Sequence, residues 1–478
     1  MPTTFADFAV GDVVLLERSF TTGDFEAFSR LSGDANPLHR DKKHALTTQF
    51  GVPIVPLHLL LAPMSMIAGM SFPGEPSLYL GHEVRAAKPV RYGESLRYSG
   101  RIEAVNAALR VLTIRVLAIS GLSVVLDAVM RVQATAETWD CESALPITHT
   151  SAHRRAIVTG ASGAIGSAIA LALASRGWAL LLIDRGDDPR RRALSACLEQ
   201  LNADAEFVSA DLATESGCLA LKQAAEGRHD VEAVVHAASP GLRAPLGQLV
   251  AVNYSAFKEL ALAVLPSMLA RQQGRIVMIS STAALRAIPG WEDYAAAKSM
   301  GATFACGLNS QFSSYGVRGF VVMPGYVATS FSEAVRGDAH ALLPQEVATV
   351  VADMIGEPTS PAVVLENGLP RYGDLGFYSA HRAAVLPAPA APSSKQLAAP
   401  RSSNSVPDLV RRILHLPQST DLRGGGVGMT PGWDSLRQIE VILGLEAELN
   451  IKFSSAEVIE LGAFDALLTA CERKISNL

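Results

Sequence analysis

The chain has 478 residues, of which 49% are hydrophobic and 18% charged, and its formal net charge is −5. This length favours about three domains, and the composition excludes a chain that stays disordered as a whole. Because no long basic run accompanies the negative charge, we expect neither nucleic acid nor a membrane as a partner. The five cysteines lack metal-ligand spacing and no signal peptide is recognisable, so we expect buried thiols, no bound metal and a cytoplasmic location.

Residues 1–140 predict an α+β domain in which antiparallel strands surround one helix. Alternating apolar and polar residues predict three strands, at 95–105, 110–119 and 123–135. The apolar run 55–70 contains Pro56 and Pro63, and it is too short and too interrupted to span a membrane. We therefore expect a buried central helix near Ala62.

A pair of candidate catalytic residues follows a helix predicted over 24–31. Asp34 and His39 lie in one turn, where two such side chains can activate a water molecule between them. This pair suits reversible addition of water to a 2-enoyl thioester, provided that an amide dipole stabilises the enolate oxygen. The alternative is a structural turn, in which Asp34 caps the chain and Asn36-Pro37 bends it.

Three motifs give the first domain a family resemblance, at 34–41, 50–54 and 89–96. Over about residues 5 to 136 the chain resembles the MaoC-like (R)-specific enoyl hydratases, which have the hotdog fold. The resemblance implies that Asp34 and His39 are the catalytic pair and that Asn36 supports them.

One departure from that family lies at the start of the central helix. The chain has Pro56-Leu57-His58 where the family has His-Gly-Met. Proline cannot donate a hydrogen bond, and the leucine side chain would crowd the thioester carbonyl unless the backbone bends differently. The domain is therefore an altered hydratase or, alternatively, a module for dimerisation and acyl binding. We expect His58 to be an ordinary packed histidine, with a replacement catalytic role as the alternative.

A polar stretch, 137–152, separates the first domain from a second over 153–380. There, apolar strands alternate with helical stretches, which predicts an α/β Rossmann domain with a doubly wound parallel sheet. Strand, glycine-rich turn and helix follow one another over 155–166. Glycines at such a turn let the backbone approach a pyrophosphate at the helix N-terminus.

The end of the next strand, 179–183, bears on the choice of coenzyme. Asp184 is placed there to bond a ribose hydroxyl and to repel a 2′-phosphate, which favours NADH. Arg185 follows directly, and a guanidinium can pair with a 2′-phosphate, which favours NADPH. We expect NADH, with NADPH as the open alternative.

Three further residues predict carbonyl chemistry. Tyr294 and Lys298 are four residues apart and share one helical face, and a nearby cation lowers the pKa of a phenol. Such a tyrosine can give its proton to a carbonyl oxygen that Ser281 polarises, while hydride reaches the carbon. The pattern predicts carbonyl reduction, and its alternative is a solvated helix face.

These motifs, with Pro324-Gly325, resemble the short-chain dehydrogenase/reductase family over about residues 154 to 378. The resemblance implies that Tyr294 donates the proton and that Lys298 modulates it and binds the nicotinamide ribose. It also implies that Ser281 polarises the carbonyl and that Asn253 relays protons. The implied cofactor contacts are Gly160, Ser162, Gly163, Ile165, Gly166, Asp184, Asp211, Tyr294, Lys298 and Thr329.

The second domain also departs from its family. His236-Ala237-Ala238-Ser239 stands where the family usually has Asn-Asn-Ala-Gly, and the segment from there to Asn253 is unusually short. These differences leave the loops on the substrate side without a prediction.

The third part of the chain begins after a biased segment. Residues 381–405 are nearly all Ala, Pro and Ser, which predicts a semi-extended linker. Residues 406–478 predict a small all-α helical bundle. Asp434-Ser435-Leu436 opens an acidic helix, and a capped surface helix is the simplest interpretation. The motif nevertheless resembles an acyl carrier protein, which implies a 4′-phosphopantetheine arm on Ser435 that a phosphopantetheinyl transferase adds.

Together the three domains predict an enzyme that reduces a carrier-bound 3-oxoacyl thioester and exchanges the 3-hydroxyacyl product with a 2-enoyl thioester. No condensing apparatus or acyltransferase motif is recognisable, so we expect a separate condensing enzyme and acyltransferase. Both family resemblances imply a homodimer or homotetramer. Two alternatives are a carrier and scaffold protein with a non-catalytic hotdog domain, and a dehydrogenase for free alcohols or sugars with an unrelated tail.

Overall fold

The computed structural model divides into two compact units, Met1–Ala388 and Pro389–Leu478. The residues that it describes are 3–139, 143–149, 154–186, 188–285, 288–329, 341–356, the backbone of 362–366 and 369–373, and parts of 406–475. The first unit contains both domains predicted before the linker. Those two domains are therefore packed together rather than joined as separate bodies.

The N-terminal domain is an antiparallel sheet around one long helix. Its strands are β1 (Thr3–Thr4), β2 (Val13–Arg18), β3 (Ser77–Ala86), β4 (Leu96–Asn106), β5 (Val111–Ser120), β6 (Ser123–Ala134), β7 (Thr138–Trp139) and β8 (Ile147–Thr148). Its helices are α1 (Thr22–Ser32), α2 (Lys42–Leu46) and α3 (Leu57–Met70). β1 pairs with β7, and the other strands form one sheet in the order β3-β6-β5-β4-β2-β8. This is the predicted hotdog arrangement, and the three predicted strands end within one residue of β4, β5 and β6.

The central helix α3 is held by apolar packing and by one buried hydrogen bond. Leu60, Met64 and Ile67 are almost fully buried in the core of this domain. The Tyr98 hydroxyl on β4 donates to the Leu60 carbonyl oxygen at 2.8 Å. Gly100 lets β4 and α3 approach closely, because a Cβ there would lie 3.0 Å from a methyl group of Ile67.

The second domain is an eight-stranded sheet with helices on its faces. Its strands are β9 (Arg155–Thr159), β10 (Ala179–Asp184), β11 (Ala205–Ser209), β12 (Val231–His236), β13 (Gly274–Ile279), β14 (Val317–Pro324), β15 (Ala362–Glu366) and β16 (Leu369–Gly373). Its helices are α4 (Ala164–Ala174), α5 (Pro189–Gln200), α6 (Glu215–Ala225), α7 (Leu246–Val250), α8 (Phe257–Arg271), α9 (Glu292–Phe312) and α10 (Pro344–Gly356). The order is β11-β10-β9-β12-β13-β14-β15-β16, and only β16 runs antiparallel to its neighbour. The order reverses between β9 and β12, and in such sheets ligands bind at the carboxyl ends beside that point.

One helix of the second domain is long enough to be mistaken for a membrane span. α7, a π-helical turn (Ala251–Ala256) and α8 follow without a break, and they make a continuous helix over Leu246–Arg271. Its length and composition would allow it to cross a bilayer, but half of its most apolar window is buried. In this fold it packs against β12 and β13 as a core helix.

The two domains of the first unit share a hydrophobic core. Alternate residues of β5 face opposite sides, as in any strand. Val116 and Ala118 pack in the core around α3, whereas Leu117 and Ile119 join the core that contains α8. The antiparallel sheet therefore uses its second face to bury part of α8.

A polar contact fixes the same joint. Gln272 follows α8 in the left-handed conformation, with a φ of 53°, and is 6% exposed. Its amide nitrogen lies 3.1 Å from the Ser99 carbonyl oxygen and 3.2 Å from the Arg115 carbonyl oxygen. The Ser99 hydroxyl donates in return to the Ala270 carbonyl. Since these groups are buried, separating the domains would leave several of them without partners.

The C-terminal unit is described only in part. Helices at Val406–Ile413 and Phe464–Ile475 contribute to one apolar cluster that includes Trp433. The predicted linker and Ser435 lie outside the described residues, so the all-α bundle and the carrier site remain predictions.

The prediction about the cysteines is wrong in part. Cys471 is buried, Cys218 and Cys306 are half-buried, and Cys197 is exposed. Cys197 lies near the end of α5, whose buried residues are Leu194 and Leu198. All four are free thiols, and Cys141 lies outside the described residues.

Candidate active sites

The carbonyl-chemistry residues of the second domain meet at the carboxyl end of β13. Tyr294 and Lys298 lie one turn apart on α9 and are 6% and 3% exposed. The Tyr294 hydroxyl is hydrogen-bonded to Ser281, which follows β13. The Lys298 ammonium donates to the Ile279 carbonyl oxygen at 2.9 Å and lies 5.8 Å from the centre of the Tyr294 ring. The structure thus brings the three predicted residues together.

Burial shifts the pKa values of Lys298 and Tyr294. Burial lowers the pKa of Lys298 to about 7. The pKa of Tyr294 is raised to about 12, because burial outweighs the hydrogen bond from Ser281, which lowers it. Our expectation of a lowered tyrosine pKa is therefore wrong for this arrangement, in which the ammonium group is turned to a backbone carbonyl.

Asn253 lies in the π-helical turn that precedes α8. Its amide nitrogen donates to the Leu249 carbonyl at 2.9 Å. Its side-chain oxygen is buried and has no hydrogen-bond partner among the described residues. A Cβ at Gly301 on α9 would lie 2.6 Å from the Asn253 carbonyl oxygen, so only glycine lets α9 approach this turn so closely. This amide oxygen can accept a hydrogen bond from a proton-carrying group such as water, as the predicted relay requires.

The glycine-rich turn between β9 and α4 is packed so tightly that side chains would not fit in it. Gly160 has a φ of +68°, and a Cβ there would lie 2.7 Å from the Cα of Ala238. A Cβ at Gly166 would lie 2.1 Å from the Gly160 carbonyl oxygen. Gly163 caps α4 without a side chain, and Ser162 and Ile165 flank it, both half-buried. The open backbone at a helix N-terminus fits the pyrophosphate of a dinucleotide.

Asp184 ends β10 but is not a free carboxylate. Its side chain is 1% exposed and pairs with Arg191 at 3.3 Å. The Gly186 amide donates to the same carboxylate oxygen at 3.1 Å. Arg191 also donates to the Ser209 hydroxyl at 2.7 Å and lies over the Phe207 ring. The arginine partner offsets part of the negative charge that we expected to exclude a 2′-phosphate.

The two remaining predicted cofactor residues lie in loops that follow strands of the parallel sheet. Asp211 accepts a hydrogen bond from the Ala213 amide at 3.0 Å and shapes the turn before α6. Thr329 is half-buried beyond β14, next to the bridge between Val327 and Leu342. Both follow the carboxyl ends of their strands, and their contacts with a cofactor stay predictions.

The candidate hydratase residues lie on the turn between α1 and α2. His39 Nδ1 lies 2.8 Å from the Ile54 carbonyl oxygen, so this nitrogen carries the hydrogen and Nε2 is left as the basic nitrogen. Its ring packs on Phe25 at 5.8 Å between centres. The Tyr92 hydroxyl donates to the His39 carbonyl oxygen at 2.9 Å.

Tyr92 connects the two predicted catalytic residues. Burial and the charge of Asp34 raise the pKa of Tyr92 to about 12, which places Asp34 near the same tyrosine that holds His39. Asp34 itself accepts from the Asn36 amide at 2.9 Å. Tyr92 lies inside the 89–96 motif, but the motif alone did not predict this role for it.

The altered helix start keeps its amide donors. Pro56 is the N-cap of α3, where a missing N–H costs nothing. The N–H groups of Leu57 and His58 are the first of the helix and have no acceptor within it. His58 is exposed and Leu57 half-buried. The prediction that His58 packs in the core is therefore wrong, because the first turn of α3 turns it outward.

Comparison with known proteins gives matches for both domains of the first unit. Residues 154–340 match the family model described as short chain dehydrogenase, and residues 7–117 match that described as MaoC like domain. The (R)-specific enoyl-CoA hydratase of Aeromonas caviae is 34% identical over 125 residues, which are 26% of this chain and 93% of that protein. The oxidoreductase UcpA of Salmonella typhimurium is 30% identical over 220 residues, which cover 42% of this chain and 80% of that protein.

Two more distant likenesses concern the second domain. The very-long-chain 3-oxoacyl-CoA reductase of Anas platyrhynchos is 28% identical over 190 residues. The matched region is 37% of this chain and only 61% of the length of that reductase. Among solved structures, the chain is similar to a 3-oxoacyl (acyl-carrier-protein) reductase from Agrobacterium tumefaciens, crystallised with NADP bound, with which it shares 25% sequence identity. Its TM-score is 0.42, with 45% of this chain and 94% of that chain covered.

Replacing Lys298 by methionine should change how stability depends on pH. In the folded chain the pKa is about 7 instead of 10.5, so below pH 7 folding buries a charge, and this penalty fades as the pH rises towards 10.5. The variant should therefore gain stability over the wild type at pH 6, and the gain should shrink by up to about 4 kcal/mol at pH 10. Urea unfolding at both pH values measures this difference.

The exposed Lys42 provides the control. Lys42→Met should change the free energy of unfolding equally at both pH values. An equal stability difference for Lys298→Met at pH 6 and pH 10 would show that the amine is not buried as described.

Proposed function

Because the chain belongs to the short-chain dehydrogenase family in its middle domain and to the MaoC-like family in its N-terminal domain, we propose that it is a two-step acyl thioester enzyme. The middle domain reduces a 3-oxoacyl thioester to a 3-hydroxyacyl thioester. The N-terminal domain exchanges this product with the 2-enoyl thioester by loss or addition of water. The substrate is carried on the C-terminal domain.

The hydrogen-bonded pair of Tyr294 and Ser281 supports the reductase step most directly. Both hydroxyl groups lie at the carboxyl end of β13 and can bind one carbonyl oxygen. Tyr294 gives its proton to that oxygen as negative charge develops, and Ser281 stabilises the charge with a second hydrogen bond. Because its pKa is raised to about 12, Tyr294 stays protonated until negative charge develops on the carbonyl oxygen. Lys298 returns a proton to Tyr294, and the Asn253 side-chain oxygen accepts a hydrogen bond from the water molecule that resupplies the proton.

A nicotinamide cofactor would be held by the glycine turn. Gly160, Gly163 and Gly166 let the turn pack tightly against the chain's own backbone, and the N-terminus of α4 that follows would present its N–H groups to a pyrophosphate. Asp184 and Asp211 would bind the adenosine half, and Thr329 the nicotinamide half. When bound, the cofactor supplies the hydride that reaches the carbonyl carbon.

The coenzyme is proposed to be NADH, with NADPH as the competing choice. Asp184 stands where a ribose hydroxyl would donate to it, but its ion pair with Arg191 weakens the repulsion of a 2′-phosphate. The exposed Arg185 is available to such a phosphate. We therefore expect the rates with NADH and NADPH to differ less than they would if Asp184 had no arginine partner.

The hydratase step rests on His39 and Asp34. The hydrogen bond from His39 Nδ1 to the Ile54 carbonyl leaves Nε2 as the base. His39 and Asp34 activate the water whose oxygen adds to C3 of the enoyl group, and they return a proton to C2. The N–H groups of Leu57 and His58 stabilise the enolate oxygen, since the helix N-terminus presents them. The bulk of Leu57 supports the alternative, a hotdog domain that binds acyl chains without turning them over.

The thioester and its carrier connect the two activities. The proposed product of the reductase is the proposed substrate of the hotdog domain, and both domains belong to one packed unit. An arm on Ser435 behind the predicted linker would hold the acyl group near both pockets at about millimolar effective concentration. A phosphopantetheinyl transferase would load it, and a separate condensing enzyme and acyltransferase would supply the acyl group. We also propose a homo-oligomer and a cytoplasmic location.

The reductase is tested with an acetoacetyl thioester and each coenzyme. The wild type should oxidise NADH or NADPH in step with formation of the 3-hydroxybutyryl thioester, and Tyr294→Phe should lower kcat by about a hundredfold or more, because the proton donor is gone. Tyr315→Phe, remote from the site at the end of α9, is the control. An active Tyr294→Phe variant would contradict the assignment.

The hydratase is tested with a crotonyl thioester. The wild type should form the 3-hydroxybutyryl thioester, and Asp34→Asn should lower the rate by about a hundredfold. Asp41→Asn is the matched control in the same loop, since Asp41 caps α2 and asparagine caps equally well. A wild type without hydratase activity would favour the acyl-binding alternative.

The carrier is tested by intact mass. After incubation with coenzyme A and a broad phosphopantetheinyl transferase, the wild type should gain one phosphopantetheine and Ser435→Ala none. An unmodified wild type would leave a reductase and hydratase acting on free thioesters, and the carrier proposal would fail.

A further inference from the structure

His236 occupies an unusual place between two parts of the candidate reductase site. It is the last residue of β12 and is fully buried. Its Nδ1 lies 2.9 Å from the Thr159 hydroxyl, just before the glycine turn. Its Nε2 lies 2.9 Å from the Val252 carbonyl oxygen, in the π-helical turn. The side chain thus spans from the cofactor turn to the residue that precedes Asn253.

The hydrogen-bond partners permit only one form of the ring. A carbonyl oxygen only accepts, so Nε2 carries the hydrogen that is donated to Val252. Nδ1 then accepts from the Thr159 hydroxyl, whose oxygen in turn accepts from the Ala238 amide at 3.3 Å. Burial and the charge of Lys298 lower the pKa of His236 to about 3, so the ring stays neutral at working pH.

The bond to Val252 stabilises an irregular stretch of backbone. A π-helical turn departs from the regular α-helical pattern of hydrogen bonds. The imidazole donates to one of its carbonyl oxygens, that of Val252, and the ring also packs on Phe257, the first residue of α8, at 5.2 Å between centres. Asn253 lies between these two contacts, and its own amide is bonded to Leu249.

We propose that His236 is a positioning residue that holds the π-helical turn, and with it the Asn253 side chain, in the geometry that the reductase needs. This inference rests on the proposed reductase function. His236 does not touch substrate and exchanges no proton. It acts through the Val252 carbonyl. At this position the short-chain dehydrogenase/reductase family usually has an asparagine, whose side chain is shorter.

Two substitutions separate the two contacts of the ring. Glutamine places its amide group near the position of Nε2, so His236→Gln keeps a donor for Val252. Asparagine reaches only the position of Nδ1, so His236→Asn keeps Thr159 and loses Val252. Since a displacement of about 1 Å at a catalytic group costs up to about a hundredfold, kcat should fall ten- to a hundredfold in His236→Asn and less than about threefold in His236→Gln.

The loss should appear in kcat and not in coenzyme binding. His236→Asn keeps the contact with Thr159 beside the cofactor turn, so it should bind NADH or NADPH with a dissociation constant within about twofold of the wild type. Equal kcat values for His236→Gln and His236→Asn, or a loss confined to coenzyme affinity, would overturn the proposal. Absence of reduction by the wild type would refute the proposed function itself, and the two failures are thus distinguishable.

A measurement on the unmodified chain gives a test that does not depend on the activity of a variant. Nitrogen NMR of histidine-labelled protein, with His236→Gln used for assignment, should show a neutral ring with hydrogen on Nε2 between about pH 5 and pH 9. A ring with hydrogen on Nδ1, or one that titrates near neutral pH, would overturn the proposal whatever the activity.

Discussion

The burial of α8 is the constraint on which the first 388 residues depend. This helix packs against the parallel sheet, and the antiparallel sheet of the N-terminal domain adds Leu117 and Ile119 to the same core. Gln272 then bonds the end of the helix to β4 and β5. At its other end the helix continues into the π-helical turn with Asn253. One element therefore joins the domain interface to the candidate reductase site.

Low polarity governs the chemistry of that site. Tyr294, Lys298 and His236 are all buried, and in each case burial favours the neutral form. Neutral groups are useful here for different reasons. The tyrosine keeps a proton to give, the lysine can lose one near neutral pH, and the histidine keeps one tautomer and one hydrogen-bond pattern. The same burial makes each hydrogen bond in the site worth more than it would be in water.

Local pattern predicted the elements, and long-range packing supplied what it could not predict. The alternation of apolar residues located β4, β5 and β6, and the glycine turn with Tyr294 and Lys298 located the candidate reductase site, because these signals depend on neighbours in sequence. The roles of Tyr92 and His236 depend on residues 53 and 77 positions away, which no local pattern reports. The raised pKa of Tyr294 was missed because burial, and not the adjacent lysine, determines it. His58 was misjudged because its exposure depends on the direction of the first turn of α3.

The shared core between the two domains limits how the chain can be rearranged. Its composition suggests interchangeable modules that could be cut at the polar stretch 137–152 and recombined with other partners. A cut there would leave Leu117, Ile119 and Val124 on an open sheet face, with the Ser99 and Arg115 carbonyls that Gln272 now covers. An isolated hotdog domain would then expose an apolar surface that favours aggregation. Grafting experiments on this scaffold should therefore transplant the hotdog domain and the reductase as one cassette.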